Sequence, residues 1–433
     1  MADAEAALER ATMRAISWRL LPLIGAGYLA SFMDRINIGF AAPQMNAQLG
    51  FTASVYGFGG GLFFISYALL EIPSNMALAR VGARRWLARI MITWGLIAMA
   101  TAFVKTPLQF YAARFFLGAA EAGFFPGVIY YLSLWFPQAQ RGRAISRFYV
   151  AAPLASLVMG ALAGALLGLG GHLGLAGWQW LLLVEGAPAA LLSAVFLFWL
   201  PETPDTVTWL TAEQRAWLSA RLEADAQATG APDHNLLRAL FRPPVLALTL
   251  SNFLYLGPYY AFTLTAPAIL MAATGMDAGH VGNLVALAGL IGAAAMIANA
   301  WSADRQGEPY AHTGVPLLAA AAGFVALALI HTPVAAMAAY LAAMAAYYAA
   351  IGVFWLAPND TVHLRARAVT FAAVNGVGQL GSFLFPWLWG LAKDATGSYQ
   401  LGQTLLPITF ATSGLIMLAL GMARRRRFAA APA

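Results

Sequence analysis

Six ionisable residues are set within long apolar runs: Asp34, Arg35, Glu71, Arg114, Glu121 and Glu185. Placing a charge at the centre of a hydrocarbon layer costs about 2.5–3.5 kcal/mol by the lower scales, so such a residue is either paired or functional. The chemistry open to this set is narrow. A carboxyl isolated at low dielectric can take up and release a proton near neutral pH. A guanidinium stays charged and can grip a carboxylate through two parallel hydrogen bonds. All six lie before residue 200, and the later sequence has no acid or base at comparable depth, since Asp360 falls at a helix end.

The elements that must hold these residues are spanning helices. Of the 433 residues, 61% are hydrophobic and only 10% charged, against about 25% charged in soluble domains. Mean hydropathy is +0.69. Apolar runs bounded by Gly, Pro or Arg predict helices at 19–42, 52–79, 87–104, 107–136, 144–169 and 177–200, then at 244–272, 280–302, 314–331, 334–357, 367–392 and 399–423. This is an all-α membrane protein of twelve transmembrane helices in two six-helix bundles. The bundles occupy 1–200 and 244–433, joined by a polar linker at 201–243. Within the linker, Thr211-Ala212-Glu213-Gln214 has the spacing of a capping box that starts a short surface helix. The first helix reads as uncleaved, because no small-residue cleavage site follows it.

Orientation follows from the basic residues. With the N-terminus inside, 21 of the 25 fall on the cytoplasmic side, including Arg80, Arg84, Arg85 and Arg89 and the run Arg424–Arg427. The positive-inside rule therefore predicts both termini in the cytoplasm. The net charge of +7 is then a matter of membrane orientation and not of nucleic-acid binding. Ala79-Arg80-Val81-Gly82 after helix 2 is echoed by Ser302-Ala303-Asp304-Arg305-Gln306-Gly307 after helix 8. Two halves repeating about an axis along the membrane normal is the layout of major facilitator transporters. With no cysteine and only scattered histidines, neither a disulfide framework nor a metal site is expected. No nucleophile–base pair or phosphate loop suggests an enzyme.

Depth at about 1.5 Å per residue places Asp34, Arg35 and Arg114 at a similar level, with Glu121 two turns deeper on the face of Arg114. Asp34 is expected to pair with Arg114, while Arg35 faces a cavity and Glu121 is the central protonation site. The same charges could instead be structural pairs joining helices 1 and 4. Glu71, beside Ile72-Pro73-Ser74-Asn75, is expected to brace a gate, and Glu185 is a further candidate site residue. The second half offers uncharged groups: Asn252, Tyr255, Tyr259 and Tyr260 beside Gly257-Pro258, then Trp355, Asn359, Asn375 and Gln379. Of these, Trp355 and Asn375 are the leading substrate contacts.

Phe32-Met33-Asp34-Arg35-Ile36-Asn37-Ile38-Gly39-Phe40-Ala41 resembles the helix 1 signature of the anion:cation symporter family of the major facilitator superfamily. So do Glu71-Ile72-Pro73-Ser74-Asn75, the run Arg114 to Gly127, Arg141-Gly142-Arg143-Ala144, and Leu200-Pro201-Glu202-Thr203-Pro204. The resemblance extends over nearly the whole chain and is nearest to members for tartrate, phthalate and hydroxyphenylacetate. It implies import of a small organic anion by alternating access, coupled to protons or sodium and here read as proton-coupled, with no cofactor, in the bacterial inner membrane; a monomer is expected. It further implies that Asp34 and Glu121 carry protonation, that Arg35 and Arg114 handle the anion and the pairing, and that Tyr67, Trp355 and Asn375 line the site. A drug/proton antiporter and a transport-dead membrane sensor are the alternatives. Ala151-Ala152-Pro153 stands where sugar-acid members can carry glutamine, which suits a less hydroxylated acid.

Overall fold

A computed structural model describes residues 2–229, 240–330, 332–358 and 364–429, and no strand occurs among them. The first half contains α1 (Ala2–Leu49), α2 (Ala53–Val81), α3 (Ala83–Thr101), α4 (Pro107–Glu121), α5 (Phe124–Ser133), α6 (Gln138–Tyr149), α7 (Ala151–Leu167) and α8 (Gly177–Trp199). After the connecting helix α9 (Ala212–Thr229) come α10 (Pro243–Thr274), α11 (Ala278–Gln306), α12 (Pro309–Leu329), α13 (Pro333–Phe354), α14 (Leu364–Thr396) and α15 (Gln400–Ala429). An apolar solvent offers nothing to backbone N–H and C=O groups, so each run closes its own hydrogen bonds as a helix. The polar caps lie between runs: Thr52 accepts from Val55 N at 3.2 Å, Thr106 from Gln109 N at 3.3 Å, and Asp277 from His280 N at 2.9 Å.

Nine stretches of the described residues are long and apolar enough to cross a membrane, with α4 and α5 counted as one. The expected runs 87–104, 144–169 and 367–392 fall on α3, on α6 with α7, and on α14, outside that measure. Arg84, Arg85 and Arg89 occupy the start of α3, and α7 has only 17 residues. Two other differences from the sequence reading are physical. Helix α1 begins at Ala2 and not near 19, because residues 2–18 contain no glycine or proline to stop it. The run 107–136 is broken after Glu121, where Ala122 leaves helical geometry and Gly123 takes φ +87°. That left-handed conformation favours glycine, and a Cβ there would also lie 2.4 Å from Ser74 Oγ. The linker helix starts as its sequence predicts: Gln214 N donates to Thr211 Oγ1 at 3.1 Å and Thr211 N to Gln214 Oε1 at 3.0 Å.

The end holding the chain's N-terminus and α9 is here the terminal end, and the opposite end is distal. Helix α1 packs on α7 and α8, α2 on α4, and α3 on α4 and α8. The later helices repeat the scheme, with α10 on α14 and α15, α11 on α13, and α12 on α13 and α15. Across the halves, α2 meets α14, α7 meets α11, and α1 meets α10. The first two contacts are each other's counterparts when the halves are exchanged.

Both interlock tightly in their distal parts. A Cβ on Gly57 would sit 2.2 Å from Pro386 O, and one on Gly160 would sit 2.3 Å from Gly282 O. Tyr56, 2% exposed, directs its hydroxyl at Ile38 O (3.1 Å) and Leu264 O (2.9 Å), tying α1, α2 and α10. At the rim, Asp394 accepts from Ala53 N and Ser54 N, both at 2.9 Å, and so caps α2 from the other half. Partial burial alone would raise the Asp394 carboxyl, but the hydrogen bonds from Ser54 and Ala53 outweigh it and hold the group below its ordinary range.

Candidate transport site

The site is built where α1 and the broken α4 face α2 and α10. Ser31 and Arg35 are four apart on one face of α1, and Glu121 is the last helical residue of α4. Arg35 and Glu121 form a direct ion pair: Arg35 Nη2 donates to Glu121 Oε1 at 2.6 Å and Nε to the same oxygen at 3.2 Å. Ser31 Oγ donates to that oxygen as well, at 2.6 Å. Three donors thus converge on Oε1, while the buried Oε2 has no hydrogen-bond partner. Glu121 is fully buried and Arg35 is 8% exposed.

The remaining edge of the guanidinium points across the halves. Arg35 Nη1 donates to Tyr260 Oη on α10 at 3.4 Å. Its Cζ lies 5.1 Å from the Tyr67 ring and 5.4 Å from those of Phe32 and Phe63. These faces add cation–π attraction where water is scarce. A carboxylate at the C-terminus of α4 faces the unfavourable end of the helix dipole, which the fixed charge of Arg35 offsets.

Arg114 is 2% exposed and lies 5.0 Å from the Phe63 ring. The expected Asp34–Arg114 pair does not close, for no contact within 4.0 Å joins them. Arg114 remains the main charged neighbour of Asp34. Asp34 instead accepts from Asn37 Nδ2 at 3.3 Å through Oδ1, and its Oδ2 has no partner. Depth along two helices identified the neighbours, but depth does not fix the rotation of a helix about its axis.

From the second half, Asn375 on α14 donates to the Glu71 carboxylate at 3.2 and 3.4 Å, bridging α2 and α14. Trp355 stacks on Phe371, with ring centroids 5.4 Å apart and planes at 17°. Gln379 is 6% exposed, and its Oε1 has no partner. Asn252 is fully buried and donates to Val374 O at 2.9 Å, which makes it a bracket between α10 and α14. Tyr255 belongs to an aromatic cluster with Tyr347 and Phe354. Glu185 is buried on α8 beside Asn37 and Asp34, away from the ion pair. Asn359 lies outside the described residues. The structure therefore gathers Arg35, Glu121 and Tyr67 around one point. It adds Ser31, whose signal was its four-residue spacing from Arg35, and it singles out Tyr260 from the second half's tyrosines through a contact across the halves that no local pattern reveals.

Two helical halves that enclose a buried ion pair and repeat each other's contacts have the layout of membrane transporters. The chain belongs to the Major Facilitator Superfamily, whose family model matches residues 24–386. A protein of Agrobacterium vitis named "Putative tartrate transporter" is 39% identical over 413 residues, 95% of each chain. A "Quinolone resistance transporter" of Acinetobacter baumannii is 36% identical, over 97% of this chain and 96% of its own. Among solved structures, a D-xylose-proton symporter superposes with a TM-score of 0.73 at 16% identity, covering 92% of this chain and 97% of that one. The A. vitis relative fits the organic-anion transporters that the motifs resemble, and the fold is the all-α major facilitator fold.

Proposed function

We propose that this protein imports a small organic anion with protons by alternating access, from an inner membrane in which both termini and the 201–243 linker are cytoplasmic. The observation that carries the reading is the Arg35–Glu121 pair, in which one carboxylate oxygen occupies two of the guanidinium's donors. A proton on the open Oε2 would discharge Glu121 and free the Nε–Nη2 edge of Arg35. That edge matches a substrate carboxylate. Loss of the proton lets Glu121 reclaim the arginine and expel the anion. Proton and anion are thus bound together and released together, which is the requirement for symport. Tyr67 and Tyr260 would orient the anion, with Trp355, Asn375 and Gln379 closing the site from α13 and α14. The distal interlock supports a conformation shut toward the outside. The A. vitis relative's name supports a hydroxy-dicarboxylate as one substrate to try.

The test is uptake of radiolabelled tartrate, phthalate, hydroxyphenylacetate and a sugar acid into proteoliposomes with an imposed pH gradient. At least one acid should accumulate against its own gradient. Uptake that ignores the pH gradient would sink proton coupling.

A second reading, drug/proton antiport, draws on the A. baumannii relative and on the fact that Arg35 is already paired. It predicts efflux of a cationic or zwitterionic drug under the same gradient and no accumulation of the acids.

A further inference from the structure

A second group of buried carboxyls is not used by the ion pair. Among the described residues, five acidic or basic side chains are buried: Asp34, Arg35, Arg114, Glu121 and Glu185. The two guanidiniums keep their charge at any physiological pH. Three carboxylates against two guanidiniums leave one negative charge uncompensated, in a region where an uncompensated charge is expensive.

The geometry points to where it is compensated. Glu121 has Arg35, whereas Glu185, 3% exposed, has neither oxygen in a hydrogen bond. The charged group it feels is Asp34, and the side chain touching it is that of Asn37. Asn37 donates to Asp34 Oδ1 at 3.3 Å, and its own Oδ1 has no partner. The surrounding helices supply no cation to Glu185. From α1 it meets Asp34, α7 carries no titratable residue, and on α3 the basic groups Arg84, Arg85 and Arg89 all lie near the terminal end. Arg114 on α4 faces Asp34 and can balance only one of the two carboxylates. Two adjacent carboxyls cannot both ionise cheaply, and one proton between them resolves both the repulsion and the missing donors.

We propose that Asp34 and Glu185, with Asn37 between them, hold one proton as a site separate from the Arg35–Glu121 pair. Its part in coupling rests on the symport reading: Asp34 would link this reservoir, through Arg114, to the anion site. A substrate monoanion would then draw in its own proton at Glu121 without emptying the reservoir.

The full-length protein in lipid, without substrate and at neutral pH, should show a protonated-carboxyl stretch in its infrared spectrum. Glu185→Gln should remove the intensity of one carboxyl, and Glu121→Gln should keep it. Asn37→Leu should shift that band, because the proton's neighbouring acceptor is gone. It serves as the second probe if Glu185→Gln does not give a monodisperse protein. Replacing choline by sodium at constant pH should change nothing. Full intensity in Glu185→Gln, an unshifted band in Asn37→Leu, or a band abolished by sodium would each overturn the proposal. If no acid is driven by a pH gradient in the wild type, the transport reading fails, while the infrared result still decides the pair.

Discussion

At the scale of the residue, the Arg35–Glu121 pair makes the sharpest demands. Glu121→Gln keeps the shape and the contact with Ser31 but removes the titrating group. It should still exchange labelled acid across the membrane while losing accumulation against a gradient. Retained accumulation would remove Glu121 from the coupling role. Arg35→Ala leaves a buried carboxylate alone, and loss of one partner of such a pair destabilises by about 3–5 kcal/mol. Combining Arg35→Met with Glu121→Leu should recover much of that loss in a thermal unfolding assay, because neither charge is then stranded. Uptake should stay absent. A double variant as unstable as Arg35→Ala would show that the pair contributes more than its own neutralisation. Lysine at position 35 should bind acids poorly, since a point charge cannot reproduce the planar two-donor edge.

At the scale of the element, the distal interlock invites two tests. Gly57→Val puts side-chain atoms where the Pro386 carbonyl now lies, so α2 and α14 cannot close as observed. Spin labels at Leu108→Cys and Leu401→Cys, both exposed near the distal end, should then report a longer distance than in the unsubstituted background. The Asp394 cap should depend on acidity. Its carboxyl is held below its ordinary range in the closed form, so closure gains stability above that range and loses it as pH falls through the depressed value. The same labels should move apart in acid, and Asp394→Asn should abolish that pH dependence. Much of this level was legible beforehand. Continuous apolar runs announce helices in lipid, and the Thr211–Gln214 box announced α9 to the residue. The break after Glu121 was hidden because glycine and proline inside an apolar run are tolerated in spanning helices, and only the backbone at Gly123 reveals its left-handed turn.

At the scale of the whole molecule, the charge bias predicts topology. The chain has no cysteine, so single cysteines can be introduced without background. A membrane-impermeant maleimide applied to intact cells should label Ser398→Cys and leave Ala212→Cys untouched until the membrane is opened. Labelling of both from outside would refute cytoplasmic placement of the linker. The division of the site was also readable at this level, since all the deep charges precede residue 200. What could not be read was which charge meets which. Asp34 and Arg114 share a depth and yet do not touch, while Arg35 reaches an acid placed two turns deeper. Pairing depends on helix rotation and crossing, which belong to tertiary packing and leave no period in the sequence.

The cap that Asp394 places on α2 has a genetic consequence. Its two donors are main-chain N–H groups of Ala53 and Ser54, and almost any amino acid there would supply them. The contact therefore has one heritable address and not two. No compensating charge on α2 can drift with it, as partners in an ion pair can, and a change at 394 has no simple second-site suppressor across the interface. On the α2 side, proline is the one residue that deletes a donor outright. Random mutagenesis selected for a leaky distal seal should then return many different substitutions at 394, but few at 53 other than proline.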